Sequence, residues 1–224
     1  MAKTFSQLQA RAAQLVSLEA WSESSPKPDW QTLVNDALAT FSWECEHVPA
    51  SITLTSVVNQ QDYNLTAPPS WIKITDVVYA GTAMFATQEA ALRLENPLWM
   101  NTLAATPDRY YSPSPDTIRL YPKPAASGDS IIIVGKTYAP SLVNPNDAPD
   151  IPTIFCEGIA CLAAYNHGKI YANTEESVAS VKALFAEYER LANDFRQSLA
   201  QQNSTNFAPT RRRVRHQRLY IGRY

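Results

Sequence analysis

Apolar residues near the start of the chain recur with the spacing of one helix face. In the stretch "TFSQLQARAAQLVSLEAW" they lie mostly three or four positions apart, which predicts an amphipathic helix. Thr4 and Gln7 have the spacing of a capping box, which marks a helix start. Arg11 interrupts the apolar stretch, so it is typical of a helix face rather than of a signal peptide. The predicted buried stripe consists of Phe5, Leu8, Ala12, Leu15 and Val16.

A second helix is predicted over "WQTLVNDALATFSWECE". The preceding "SESSPKPD" contains two prolines that cannot continue the first helix, and Asp29 at its end can cap the second. The short connection predicts an antiparallel helix pair. The apolar face of the second helix consists of Trp30, Leu33, Val34, Ala37, Leu38 and Phe41.

From about residue 48 the pattern changes to the two-residue alternation of β-strands. Strands are predicted at "SITLTSVV", "WIKITDVVY", "RYY", "TIRLY" and "SIIIVGKTYA". "DYNLTAPPS" is predicted to be a turn-rich link, and "TQEAALRLE" a short helix closed by Pro97. Strands of this length predict a small sandwich or a curled sheet. The proline-rich "PSLVNPNDAPDIP" then leads out of the β region.

The helical pattern returns after this segment and lasts to Gln202. "PTIFCEGIACLAAYNHGKIYA" predicts a third long helix, with Asp150 as its candidate cap. "EESVASVKALFAEYERLANDFRQSLAQQ" predicts a fourth, capped by Thr174, with Glu175 and Glu176 suited to its positive start. The stripe of the fourth helix consists of Val178, Val181, Leu184, Phe185, Tyr188, Leu191, Phe195 and Leu199.

These elements predict an α+β fold. Neither helix pair can bury its apolar stripe well alone, so we expect the four helices to pack together. Residues 1–47 and 150–203 would form a four-helix bundle, and residues 48–149 a small antiparallel β domain inserted between helices two and three. Residues 204–224 would form an extended basic and aromatic C-terminal arm.

Charge is distributed unevenly along this chain. The net charge is only −2, yet six arginines and no acidic residue lie in "TRRRVRHQRLYIGRY", residues 210–224. Outside the arm, 13 of the 19 basic residues remain, against 21 acidic residues. Residues 1–203 therefore carry a charge of −8 and the arm a charge of +6. A protein of this kind can bring an acidic surface and a basic arm to the same assembly.

Residues suited to catalysis or metal binding are sparse and poorly spaced. Cys156 and Cys161 lie about 140° apart on a helix, which is not a metal-ligand spacing, and Cys45 has no partner motif nearby. No glycine-rich phosphate loop or nucleophile motif occurs, and three histidines offer few candidate bases. We predict free thiols, tryptophans used for packing, and no catalytic, cofactor-binding or metal site. No apolar run reaches the roughly 20 residues of a membrane span, so no membrane partner is predicted.

The arm is the main functional candidate, and three interpretations of it compete. It could bind nucleic acid, since arginine pairs bidentately with phosphate; it could be a solvated terminus; or it could dock on a protein. Aromatic residues and arginine dominate protein interfaces, which favours docking. The candidate docking residues are Arg211, Arg212, Arg213, Arg215, Arg218, Leu219, Tyr220, Ile221, Arg223 and Tyr224.

The β region and its exit resemble the head-to-tail adaptor proteins of tailed bacteriophages, with podophage tail adaptors the nearest. The similarity is sharpest over residues 105–165, where "P-x-x-Y", "I-x-L-x-P-x-P", a strand ending in tyrosine and a proline before a helix follow in order. Thr106 stands where that family often has a glycine, and Ala67 separates Leu65 from the proline pair. The matching positions are Tyr63, Leu65, Pro107, Tyr110, Ile118, Leu120, Pro122, Pro124, Tyr138, Leu142 and Pro152.

This resemblance implies a structural virion component without enzymatic activity. Such adaptors build a ring, usually of twelve copies, below the portal at the capsid vertex, with C-terminal arms that reach the portal. The implied partners are the portal protein, neighbouring copies, and a tail nozzle or tail-tube protein, with tail fibres as a further candidate and genomic DNA passing through the ring. The implied location is the neck of the virion, and the host cytoplasm during assembly.

Two other interpretations stay open at this point. The chain could be a different neck or tail ring protein, such as a stopper, a nozzle or a fibre-attachment collar. It could also be a small DNA-binding factor that uses its arginine-rich arm.

Overall fold

A computed structural model of the chain describes residues 3–18, 28–65, 71–172 and 174–206. Within these residues the fold is α+β, as the sequence predicts. The helices are α1 (Phe5–Leu18), α2 (Trp30–Cys45), α3 (Glu89–Glu95), α4 (Cys156–Tyr171) and α5 (Glu175–Asn206). The strands are β1 (Val48–Thr55), β2 (Asp62–Asn64), β3 (Trp71–Tyr79), β4 (Thr82–Ala83), β5 (Phe85–Ala86), β6 (Arg109–Ser114), β7 (Thr117–Tyr121) and β8 (Ser130–Thr137).

Side-chain caps fix the starts of three helices where the sequence predicts them. The backbone N–H of Thr4 donates to Gln7 Oε1 at 3.0 Å, which confirms this half of the capping box. The Asp29 carboxylate accepts from the N–H groups of Gln31 and Thr32, and Thr174 Oγ1 accepts from the N–H of Ser177. Each cap satisfies donors that a helix start leaves without an intrahelical partner.

The helical core is centred on α4. This helix contacts α1, α2 and α5, and it is buried on several sides because small residues such as Gly158 and Ala163 let its neighbours approach. The predicted stripes of α1 and α2 are confirmed as part of this core. The stripe of α5 is confirmed from Val181 onward, whereas Val178 is exposed.

Two predicted helix limits are wrong. Asp150 does not cap α4, whose N-cap is Phe155 and has no side-chain cap. A tight turn comes first, in which the N–H of Phe155 donates to the carbonyl of Pro152, so the helix starts later than the apolar pattern. At the other end of the helical region, α5 continues beyond Gln202 to Asn206, because polar residues can extend a helix without contributing to its buried stripe.

The strands form two four-stranded sheets, with the orders β1-β8-β3-β4 and β2-β7-β6-β5. The first is antiparallel, whereas the second is mixed because β5 runs parallel to β6, so the prediction of a purely antiparallel β region is wrong. The predicted link "DYNLTAPPS" begins with the short strand β2, whose three residues pair with β7.

The inward faces of both sheets share one core, to which β8 contributes Ile131 and Ile133. β8 alternates between buried and exposed residues, as expected for a strand with one covered face. Only glycine fits at position 135 of this strand, because a Cβ on Gly135 would lie 2.2 Å from the backbone oxygen of Lys73. The absence of a side chain therefore lets the irregular part of β3 pair closely with β8.

The segment between β8 and α4 ties the β region to the helices. The Asn35 side chain on α2 accepts from the N–H of Leu142 at 2.8 Å and donates to its carbonyl at 3.1 Å. At the start of α1, the N–H of Phe5 donates to the carbonyl of Asp147 at 2.7 Å. These bonds anchor the proline-rich exit on two different helices.

Candidate docking surfaces

The predicted docking residues lie outside the described part of the chain. The ten residues are Arg211, Arg212, Arg213, Arg215, Arg218, Leu219, Tyr220, Ile221, Arg223 and Tyr224, and the described chain ends at Asn206. Their role therefore stays a prediction. The structure does define the helix from which they continue and the surfaces near it.

Helix α5 is held against α4 by aromatic contacts along its length. The ring of Phe195 lies 4.7 Å from that of Phe155, and the ring of Phe185 lies 4.7 Å from that of Tyr165. Phe195 also stacks on Phe41 of α2 at 5.5 Å. The second half of α5 is thereby fixed to two other helices, which sets the direction in which the chain leaves the described fold.

The three cysteines are buried free thiols, as predicted. Burial raises the pKa of Cys45 to about 11 and that of Cys161 to about 12, and it also raises the pKa of Cys156. A thiol with such a pKa is protonated at neutral pH, and a protonated thiol is a poor nucleophile and a poor metal ligand. These residues act in packing.

His47 is half-buried beside the helical core, with its ring 5.9 Å from that of Phe41 and 5.4 Å from that of Phe195. Burial lowers the pKa of His47 to about 4, and both ring nitrogens are buried without a hydrogen-bond partner among the described residues. His47 is therefore neutral at physiological pH and serves as an aromatic packing residue.

A partly buried ion-pair cluster joins α1 to α4. Glu157 accepts from Lys3 Nζ and from Arg11 Nε, both at 2.6 Å. Burial alone would raise the pKa of Glu157, but the hydrogen bonds from these two cations outweigh it and lower the pKa. These two ion pairs hold α1 against α4, so the cluster contributes to the packing of the helices.

A groove of about 720 Å³ opens where α2, α5 and β3 meet, and we call it the junction groove. Two of its carboxylates carry an ion pair: Glu46 with Lys73 at 3.2 Å and Glu44 with Arg196 at 3.3 Å. The groove is lined by Trp43, Glu44, Glu46, Ile72, Lys73, Glu189 and Arg196. Trp43 is 57% exposed there, although Phe41 and Cys45 of the same helix pack into the core.

A second groove, of about 450 Å³, lies between the two sheets. Ile72 and Lys73 line both grooves, so the two adjoin at this part of β3. One wall is β3 over residues 71–74, and the other is β6 and its turn over residues 110–115. In the described chain, β4 pairs only with Val78 and Tyr79 of β3, so the first half of β3 borders this groove as a sheet edge.

Several large apolar side chains of β5 and of the segment between β5 and β6 are exposed, and we call this set the apolar tip. Leu94 and Leu103 are each 87% exposed, and the tip as a whole consists of Phe85, Leu94, Leu98, Met100 and Leu103. Beneath it, Trp99 is buried against the edges of Tyr111 and Tyr121, at 5.8 and 6.1 Å. The tip therefore rests on a small core of its own, on the outer side of the second sheet.

The outer face of the first sheet is also partly apolar. Ile132 and Val134 of β8 are exposed there, and Ile132 lies between Thr53 of β1 and Val78 of β3. The first sheet and the second sheet share the core between them, so this face and the apolar tip lie on opposite sides of the β region. Each is a surface that a neighbouring protein could cover.

Sequence reasoning missed both the apolar tip and the junction groove. The tip gave one signal, since Leu98 and Leu103 are apolar residues that follow the short predicted helix and belong to no predicted element. The groove gave none, because it combines residues more than 150 positions apart. The positions that carry the family resemblance are mainly core residues: Tyr63, Leu65, Tyr110, Ile118, Leu120 and Leu142 are all buried.

Over the described ranges, no group of three or more histidine, cysteine, aspartate or glutamate side chains is placed to hold a metal ion. In the same ranges, no helix has the length and apolar character needed to cross a bilayer.

One family of known proteins matches this chain. The family model described as SU10 adaptor protein matches residues 3–214, which includes the helices, both sheets and the first three arginines of the docking segment. No curated protein matches the chain.

Proposed function

Because the chain belongs to the SU10 adaptor protein family, a family of structural phage adaptors, we propose that it joins the portal to the tail at the neck of a virion. The family match is the observation that carries this proposal, since it covers nearly the whole chain. The protein acts as a mechanical coupling without catalysis. Its buried thiols, which are protonated at neutral pH, and the neutral buried His47 suit such a role.

We propose that copies of the chain form a closed ring, with twelve as the expected number. A ring repeats one contact between two different surfaces of the same protein. The apolar tip and the outer face of the first sheet supply two such surfaces on opposite sides of the β region. In the ring, Leu94 and Leu103 of one copy would pack on the Ile132 face of the next, removing exposed apolar area from water.

The arm, which begins at residue 207 because α5 runs to Asn206, is proposed to dock on the portal. The arginines would pair with portal carboxylates, because the planar guanidinium binds a carboxylate through two parallel hydrogen bonds. Leu219, Tyr220 and Ile221 would fill apolar clefts, since aromatic and arginine anchors supply most of the energy in protein interfaces. The acidic remainder of the chain, with a charge of −8 over residues 1–203, suits a channel wall that does not grip passing DNA.

The proposal extends to the internal organisation of the protein and its other partners. Residues 1–47 and 150–203 would act as a four-helix bundle that carries residues 48–149 as an inserted β domain. The side away from the portal would receive a tail nozzle or tail-tube protein, and tail fibres are a further candidate partner.

Portal binding by variants of the arm tests this function. Because α5 runs to Asn206, a deletion of residues 207–224 removes the docking segment and leaves the helix whole. We expect this deletion, and a variant with all six arm arginines replaced by glutamine, to lower portal affinity at least about 100-fold in a sedimentation assay. A lysine replacement is the matched control: it keeps the charge and loses the bidentate geometry, so an intermediate loss is expected.

The competing functions give different results in the same assay. If the arm bound nucleic acid instead, portal affinity would be unchanged, and the glutamine variant would lose a steeply salt-dependent affinity for duplex DNA. Binding to a tail-tube protein but not to the portal would identify the chain as a different neck component. Either result would contradict the proposal.

A further inference from the structure

The junction groove and the arm have complementary chemistry. In the groove, three carboxylates outnumber two cations, and the exposed ring of Trp43 stands beside them. Glu44 and Glu46 each use one oxygen in their ion pairs, and Glu189 makes no hydrogen bond or ion pair with the described residues. Carboxylate oxygens and a tryptophan face are the groups that bind arginine most strongly.

Charged groups come first and aromatic groups second, both along the groove and along the arm. The carboxylates and Trp43 lie at the helical end, and the continuation between the sheets is lined by Tyr110, Tyr111 and the edge of β3. In the arm, the arginine-rich residues 211–218 come first and "LYIGRY" follows. A strand edge beside aromatic side chains suits an extended apolar segment, which can add to the sheet by backbone hydrogen bonds.

The arm is long enough to reach the groove of its own chain. Asn206 lies about 15 Å beyond Arg196 and about 25 Å beyond Glu189 along α5, at the helical rise of about 1.5 Å per residue. An extended chain covers up to about 3.4 Å per residue, or about 40 Å from Asn206 to Arg218, so the arginine-rich residues can turn back past Arg196 to the level of Glu189. Attachment to the same molecule gives the arm an effective concentration on the order of millimolar at the groove.

We propose that the groove is a binding site for residues 211–224 of the same chain. The arginines of 211–218 lie along Glu44, Glu46 and Glu189 with one guanidinium over Trp43, and residues 219–224 follow the edge of β3 between the sheets. This site goes beyond the proposed adaptor function. If the portal binds the same arm, the portal has to displace it from the groove.

Disulfide trapping in the full chain, without portal, tests this placement. We pair Gln217→Cys in the arm with Lys73→Cys, because Lys73 lines both parts of the groove and its replacement removes no carboxylate. The control pairs Gln217→Cys with Arg190→Cys, since Arg190 is similarly exposed and as far from Asn206 as Glu189, but does not line the groove. The natural cysteines are buried and have raised pKa values, so they react slowly.

We expect the Lys73→Cys pair to form an intrachain disulfide at least about 10-fold faster than the control pair at low salt. Adding Glu189→Gln should slow this reaction several-fold, and so should 0.5 M salt, because charge pairing holds the arm in place. Equal rates for the two pairs would overturn the proposal. A disulfide-linked dimer as the main product would also overturn it, by identifying the occupant as the arm of a second copy.

The outcome is separable from that of the adaptor proposal. Trapping uses the isolated chain, so a chain that fails to bind the portal can still show the arm in its groove. A chain that binds the portal normally but shows equal trapping rates leaves the adaptor function standing and removes this inference.

Discussion

At the scale of single residues, the described chain uses its reactive side chains for packing. The burial that raises the pKa of the three thiols also lowers the pKa of His47, because each environment disfavours the charged form. Such groups make the stability of the fold depend on pH even though they perform no chemistry.

His47 predicts a specific loss of stability in acid. Its pKa is about 4 when folded and about 6.5 when unfolded, so the unfolded chain takes up a proton between these values that the folded chain refuses. The part of the free energy of unfolding that depends on neutral His47 is fully present above pH 6.5. It is lost as the pH falls toward 4, by up to about 3 kcal/mol. Urea unfolding of the wild type and of His47→Phe at several pH values measures it.

The phenylalanine variant keeps an aromatic ring between Phe41 and Phe195 and removes the titrating group. We therefore expect its free energy of unfolding to fall less steeply than that of the wild type between pH 6.5 and 4. Parallel pH curves for the two proteins would show that His47 is not the responsible group.

Gly135 and Gly158 form a matched pair for a second prediction. A Cβ at Gly135 would lie 2.2 Å from a backbone oxygen and 2.8 Å from the ring of Trp71, whereas at Gly158 its nearest neighbour is Leu191 Cβ at 3.4 Å. Gly135→Ala should lower the free energy of unfolding by more than about 3 kcal/mol, because two central strands must separate. Gly158→Ala should change it by less than about 1 kcal/mol, since better helix propensity offsets the closer contact. Similar urea midpoints for the two variants would show that close pairing of β3 with β8 does not require glycine at position 135.

At the scale of elements, the apolar tip makes a prediction that separates folding from assembly. Leu94 and Leu103 are almost fully exposed, so Leu94→Glu with Leu103→Glu should change the free energy of unfolding by less than about 1 kcal/mol. The same double variant should lose ring formation with the portal, since a charge would be buried at each copy contact. Mass photometry of the mixture measures ring formation.

Leu92 provides the control for the tip. It is buried in the small core under the tip, and Leu92→Ala should destabilise the protein by about 2–5 kcal/mol through the cavity it leaves. Rings that form normally from the double glutamate variant would show that the tip does not mediate the copy contact.

Long elements with a regular apolar pattern could be predicted from the sequence. Very short strands, and surfaces built from several elements, could not. The stripes of α1 and α2 and the cap at Asp29 follow from local spacing, so they needed no tertiary information. β2 has only three residues and exists because β7 offers it a pairing edge. The junction groove depends on α2, β3 and α5 meeting in space, and local spacing carries no signal for such a meeting.

At the scale of the whole molecule, an acidic folded body is followed by a cationic arm, which continues from α5, the longest described helix. α5 is fixed to α4 and α2 by aromatic contacts, so a force on the arm would be passed to the helical core and, through the Asn35 and Asp147 contacts, to the β region. The proposed role in tail attachment requires this kind of mechanical continuity.

A cryo-electron microscopy reconstruction of the full chain bound to its portal tests the central claim most directly. The account predicts a closed ring of copies coaxial with the portal, with residues 211–224 of each copy on the portal surface and arginines against portal carboxylates. Density for these residues along nucleic acid, or a portal complex in which they make no contact, would contradict it.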